Sequence, residues 1–396
     1  MTLLSWNVFD YRMQQMRTLM DEIEVDALGF LTPDYFEYAT NYGVTLHAFE
    51  RPFLVIVPRD GQPFGFILEL ARNHMCFLAE KQRLWLDDIT FFVEHPRQRN
   101  RQYTTHQWGE MVADTLTARG LGRARIGVDA TNAHFTKAAA LLPWLKIQPS
   151  GREMKRLRLV KHAEEIKVMQ ELGALTDWAL DQHRKGLKPG CLLQRLDHEM
   201  AALMMEEAAR RFPGENVQAT RIMTLSGPAS AAPHGDGAPT GARLGWDSVA
   251  VTIVNARMNS LGIENQRTWL CGRTDAKHRH LYETAVAANE ASIEAAVTGK
   301  PVSGIDAAAQ TVIEAAGYGD YIIHRTGHGI GISNHEYPED MAFNPRPLLA
   351  SEVYSVEPGI YVYGLGGFRC ADVVAVGDTP DLLTRAPKDL RSQTLG

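Results

Sequence analysis

Cysteine is scarce: the 396 residues hold four, Cys76, Cys191, Cys271 and Cys370, and none sits in a Cys-x-x-Cys spacing. That excludes a disulfide-stapled framework, argues against a thiolate zinc site, and leaves reduced thiols in a cytosolic setting as the expectation. No run of about 18 apolar residues occurs, so no membrane span is expected. The N-terminal MTLLSWNVFDYRMQQMR lacks a basic segment followed by an apolar block, and so does not read as a secretory signal. Excess positive charge is missing too: 41 Lys+Arg face 47 Asp+Glu, for a net charge of −6. Duplex binding rests on clustered cations that displace counterions, so no nucleic-acid partner is expected. Arg97, Arg99 and Arg101 read as a solvated loop. Repeats and low-complexity tracts are absent.

What is present is ample material for a core, with 45% hydrophobic residues, and a length that suits two domains. The first half alternates helix and strand signals. Met13–Ile23 has an amphipathic pattern. Asp26–Phe30 and Ala124–Asp129 read as short strands. Phe53–Pro58 and Phe64–Leu68 read as a hairpin about Arg59-Asp60-Gly61, because Asp-Gly supplies the turn. The basic stretch GREMKRLRLV at 151–160 changes the character of the chain. Beyond it a helix is expected over Lys161–His183, with Val168, Met169, Leu172, Leu175 and Ala179 on one face. Helices over Leu192–Arg211, Asp275–Val297 and Ser303–Ala316 then alternate with strands at Ser248–Val254, Thr268–Cys271, Val353–Val356 and Asp372–Val376. Thr274-Asp275 can cap the second of these helices and Gly317 can end the third. The expectation is an α+β molecule: a small α/β N-terminal domain, residues 1–155, and a second domain, residues 156–396, in which helices cover an antiparallel sheet.

Four clusters in the second half bring His, Asp and Glu beside Gly and Pro: Pro233-His234-Gly235-Asp236, Ile263-Glu264-Asn265-Gln266-Arg267-Thr268, the run from Thr326-Gly327-His328-Gly329 to His335-Glu336, and Ser355-Val356-Glu357-Pro358-Gly359. Each lies at or beside an expected strand end, where side chains are held rigidly enough for catalysis.

HRTGHGIGISNHEYPED and YSVEPGIY, in this order, resemble the creatinase, methionine aminopeptidase and prolidase superfamily. RLRLVKHAEEIKVM resembles the start of that family's catalytic domain. The resemblance spans about residues 150–378 and implies the pita-bread fold and hydrolysis of a C–N bond. The family's metalloenzymes hold a pair of divalent ions on Asp, Asp, His, Glu and Glu. His328 and Glu357 match two of those ligands, and Glu264 stands where the second Asp belongs. The first Asp is missing: residues 251–256 read Val-Thr-Ile-Val-Asn-Ala, and no Asp occurs from 248 to 274. The last Glu is replaced by Ala371. A bridged metal pair needs several anionic oxygens to offset its charge, so neither a metal nor any other cofactor is expected.

Creatinase is the family's metal-free precedent, and His47-Ala48-Phe49-Glu50-Arg51-Pro52-Phe53 resembles its Phe-x-Arg-Pro-aromatic segment. There that segment closes the neighbouring subunit's site, and its Arg forks onto a substrate carboxylate. A homodimer with a shared active site and a small-molecule substrate are therefore expected. His234 would act as general base and acid, roles to which an imidazole is suited near neutral pH. Glu264 and Glu357 would bind the substrate and polarise the carbon under attack, His328 and His335 would orient water or stabilise developing charge, and His335, Phe49, Arg51 and Gln266 would contact the substrate. Creatinase has Glu at Gln266, so creatine itself is not the expected substrate. The expectation is metal-independent hydrolysis of a small carboxylate-bearing amidino or amide compound. The alternatives are an Xaa-Pro dipeptidase or aminopeptidase with degenerate ligands, and a non-catalytic binding module. Arg267 and Arg369 read as ion-pair partners, Asp372 as a supporting acceptor, and Cys271 and Cys370 as packed thiols.

Overall fold

The structure, a computed structural model, describes residues 4–93, 107–235 and 237–395. Arg97, Arg99, Arg101 and Asp236 lie outside them. The chain divides into two compact units, Met1–Arg158 and Leu159–Gly396. Among the described residues no helix is long and apolar enough to cross a membrane.

The first unit is built on a six-stranded mixed sheet of β1 (Ala27–Phe30), β2 (Leu54–Pro58), β3 (Phe64–Leu68), β4 (Asp88–Phe92), β5 (Arg125–Val128) and β6 (Lys146–Pro149). The expected hairpin is β2–β3, antiparallel, and Gly61 takes the positive φ, +106°, that its turn needs. Helices α1 (Trp6–Glu22), α2 (Pro33–Thr40), α3 (Arg72–Glu80), α4 (Trp108–Ala118) and α5 (Ala133–Ala140) accompany it, and a short α6 (Gly151–Met154) follows β6. Leu54, Ile56, Phe66, Trp108 and Val112 pack in its core. Helix α1 starts well before Met13, because Ser5 caps it by accepting from the Asn7 N–H. Arg12 hid that turn from an apolar-period reading. It is a buried cation on the inner face, donating to Tyr38 O at 2.9 Å and stacked over Tyr38 and Trp85.

In the second unit β7 (Val217–Ser226), β8 (Ser248–Met258) and β9 (Leu261–Cys271) form an antiparallel meander. Its β8–β9 turn places Asn259 and Ser260 at positive φ. The strands run longer than the sequence pattern indicates, because Asn255, Glu264, Asn265, Gln266 and Arg267 are buried instead of solvated, the last four with partners inside the protein. Helices α7 (Ala163–Gly186) and α8 (Leu193–Arg211) pack behind this sheet, with the expected residues Val168, Met169, Leu172, Leu175 and Ala179 all buried. A buried polar network joins these layers: His183 Nε2 lies 3.0 Å from Asp197 Oδ1, Thr224 Oγ donates to Asp197 Oδ1 at 2.7 Å, and Trp269 Nε1 donates to Thr252 Oγ at 2.9 Å.

Helix α9 (Ala276–Ala295) is capped by Asp275, which accepts from the His278 N–H. Helix α10 (Ser303–Ala315) packs on α9 and stops before Gly317, at φ +83°. Strands β10 (Gly327–Gly329), β11 (Val353–Val356), β12 (Gly359–Val362), β13 (Gly366–Arg369), β14 (Asp372–Ala375) and β15 (Asp381–Leu382) follow, then α11 (Leu390–Gln393) and β16 (Thr394–Leu395), which pairs with β9. Pairs β10–β11 and β11–β14 set His328 opposite Ser355 and Val356 opposite Asp372. The backbone of Gln266 bridges to Ala371, tying the meander to the β13–β14 junction.

Candidate functional site

Alternation along β9 puts Glu264 and Gln266 on one face and Asn265 and Arg267 on the other. Opposite Glu264 on β8 stands Asn255, and opposite Gln266 stands Ile253; directly opposed residues of an antiparallel pair share a face. His328 comes from β10, and Glu357 stands just past the end of β11. Ligand atoms of Glu264, His328 and Glu357 all lie within 4.8 Å of one another, and all three residues are buried.

His328 is the centre of this cluster. Its Nδ1 lies 3.0 Å from Gly329 O; a carbonyl only accepts, so Nδ1 carries a proton. Its Nε2 faces the carboxylates, 3.3 Å from Glu264 Oε1 and 3.5 Å from Glu357 Oε1, without an aligned hydrogen bond to either. Burial pulls the imidazole pKa down, but the two carboxylates outweigh it and hold the ring at about 10. His335 stacks on it with ring centroids 3.6 Å apart while reaching solvent. Burial, then the charge of His328, push the His335 pKa down.

Glu357 is held from its other side by Arg369, whose NH2 lies 2.7 Å from Oε2. Burial opposes ionisation of Glu357, yet Arg369 and His328 prevail and keep its carboxyl well below the usual range. Gln266 links the two: its Nε2 donates to Glu357 Oε2 at 3.4 Å, and its Oε1 accepts from Arg369 Nε. Ser355 Oγ donates to Glu264 Oε1. His324 lies beside them, its Nε2 2.8 Å from the Tyr361 hydroxyl. Burial lowers the His324 pKa, and the charges of Arg369 and His234 lower it further.

His328, Glu264, Glu357, Gln266 and His335 thus come together. His234 is exposed, in the loop after β7, and the cluster registers it through its charge on His324. Phe49 and Arg51 belong to the first unit. Phe49 is 80% exposed, and Arg51 lies 3.7 Å from Glu50. The ion-pair roles expected of both arginines are present, since Arg267 NH2 lies 2.7 Å from Asp372 Oδ1. Cys271 and Cys370 are packed thiols, and burial pushes the first up to about 12. Sequence reasoning missed Asn255, Ser355, His324 and Tyr361. His324 could have been found, because it opens the same His-Arg-Thr-Gly-His run.

The donors fit one divalent ion and not two. Three ligand atoms within 4.8 Å of one another match a single ion, and His328 Nε2 is a buried atom with no other partner. A second ion requires further carboxylates, but the positions facing the cluster hold Ile253 and Ala371, both buried. Ile253 packs with Met223, Leu225 and Val251 in an apolar patch, where nothing would compensate a second dication.

Metallopeptidase family M24 matches residues 167–378, over half of the chain. The chain belongs to metallopeptidase family M24. Residues 12–160 match the creatinase/prolidase N-terminal domain. The "Putative dipeptidase YkvY" of Bacillus subtilis is 31% identical over 96% of this chain and 99% of its own length. The Xaa-Pro dipeptidase of Lactobacillus helveticus is 28% identical over 96% and 98%. The crystal structure of dipeptidase PepE from Mycobacterium ulcerans superposes with a TM-score of 0.79 at 23% identity, covering 98% of each chain. As an M24 protein with the pita-bread fold, the chain is a peptidase-like hydrolase of C–N bonds.

Proposed function

We propose that this M24 hydrolase cleaves the amide bond of dipeptide-sized substrates, of the Xaa-Pro class in its relatives' names, at a cluster that takes one ion at most. The observation that carries this is the buried meeting of Glu264, His328 and Glu357. The dipeptidase names of full-length relatives support a peptide over the amidino compound expected from the sequence.

Glu264 and Glu357 would accept the substrate's N–H groups and hold the attacking water. His328, steadied by Gly329 O and by the stacked His335, would hold a proton between them. Arg369 and Gln266 position Glu357. His234, exposed near His324, is suited to carry protons to and from the leaving nitrogen. The apolar patch of Met223, Leu225, Val251 and Ile253 offers a surface for an apolar side chain. With a single divalent ion held by Glu264, His328 and Glu357 in place of that proton, the ion would supply Lewis-acid polarisation of the scissile carbonyl. The four free cysteines suit a reducing compartment, and cytosolic residence is part of the proposal.

A second reading, metal-free hydrolysis of the creatinase kind, has its own observation: His328 and Arg369 already set cations against both carboxylates. One experiment separates the readings. Purified protein is assayed on Xaa-Pro and other dipeptides before and after chelation, with elemental analysis alongside. Dipeptide hydrolysis with no more than one bound ion per chain supports the proposal. Activity that survives metal removal selects the second reading, and two tightly bound ions per chain overturn both.

A further inference from the structure

Behind β9, on the face away from Glu264, a cavity of about 500 Å³ opens between α7 and the segment 386–393. Arg184 of α7 and Arg391 of α11 border it, and neither guanidinium has a partner among the described residues. Gln393, 1% exposed, also lines it. Its Nε2 donates to Pro387 O at 2.8 Å, which fixes the amide and leaves Oε1 buried with no donor. Folded proteins seldom leave a buried acceptor unpaired. Asp181 and Asp389 stand on the same rim, while Leu180 and Trp269 supply apolar wall.

Two unpaired cations and two carboxylates around one cavity match a ligand carrying both charges. A polyanion would meet Asp181 and Asp389, and a simple cation would meet the arginines. The volume suits a small molecule. We propose that this cavity binds a free α-amino acid. Its carboxylate bridges Arg184 and Arg391, its ammonium faces Asp389, and its side chain rests on Leu180 and Trp269.

The floor of the cavity reaches the catalytic face. Arg267, which lines it, donates to Gln266 O at 2.8 Å and to Ala371 O at 3.0 Å. An occupant is thus one side chain away from the backbone that carries Gln266. Amino acids are what dipeptide hydrolysis releases, so a product could report back through this contact. That regulatory meaning rests on the proposed function, whereas the binding does not.

The test is calorimetric titration of the full chain with L-leucine and L-proline, and with L-leucinamide and N-acetyl-L-leucine as probes lacking one charge each. Binding of at least one amino acid is expected, weakened roughly tenfold or more in either capped probe and in Arg184→Ala and Arg391→Ala. His328→Ala should bind as the parent does. Three results would overturn the proposal: no heat from either amino acid at about 10 mM, binding indifferent to both arginine variants, or binding lost in His328→Ala, which would put the ligand at the catalytic cluster. Dipeptide turnover is read separately, so failure of either idea leaves the other measurable.

Discussion

Asp372 and Arg267 form an ion pair with both side chains 1% exposed, and Lys388 adds a second cation 3.3 Å from the same carboxylate. Breaking such a pair leaves a buried charge uncompensated, at a cost of about 3–5 kcal/mol. Asp372→Asn should lose that much stability in denaturant titration. Burial opposes ionisation of Asp372, but Arg267 and Lys388 outweigh it and its pKa is lowered. Its contribution is therefore complete above about pH 4, where an unfolded aspartate is also ionised, and fades as pH falls through the depressed native value. Acid melting curves of Asp372→Asn should lack this component. At the same scale the three clustered side chains of the candidate site were legible, although His324 was missed. His328, Glu357 and Glu264 stand inside recognisable motifs, and the carboxylates absent at Ala371 and around 251–256 could be counted. Asn255 and Tyr361 were not, because their place depends on which strands lie side by side, and no local pattern encodes that.

Elements show the same division. Helix ends at Asp275 and Gly317 followed from capping chemistry, and the β2–β3 hairpin followed from its Asp-Gly turn. The inner halves of β8 and β9 did not, since a strand that buries Asn, Glu, Gln and Arg looks solvated to any rule based on apolar alternation. Strand β10 depends on close approach: a Cβ on Gly327 would strike the carbonyl oxygen of Ser355. Gly327→Ala should push β10 off β11, destabilise by about 1–3 kcal/mol and lower turnover further by displacing His328; melting temperature and kcat check this together. The facing positions on β8 and at the β13–β14 junction give the converse experiment. Ile253→Asp with Ala371→Glu should raise bound divalent ions from at most one per chain towards two, read by elemental analysis. Unchanged stoichiometry would mean the strands are spaced wrongly for a pair.

At the scale of the whole molecule, the two units were expected from the change of character around 151–160, and each has its own sheet. The dimer remains a proposal founded on the His47–Phe53 segment, and it has a complementation test. Arg51→Ala and His328→Ala are each expected to lose most activity. Mixed and allowed to exchange subunits, they should regain a fraction, because one site per heterodimer then has both side chains. No recovery despite demonstrated exchange would assign Arg51 to its own chain's site or to none. The apolar filling at Ile253 and Ala371 reaches beyond the protein itself. Enzymes that need two ions fall silent first when a cell is starved of transition metal or flooded with a siderophore-like competitor. On the proposed reading of one ion or none, this hydrolase would keep turning over longest, and inhibitors that act by clamping a metal pair would find little to hold.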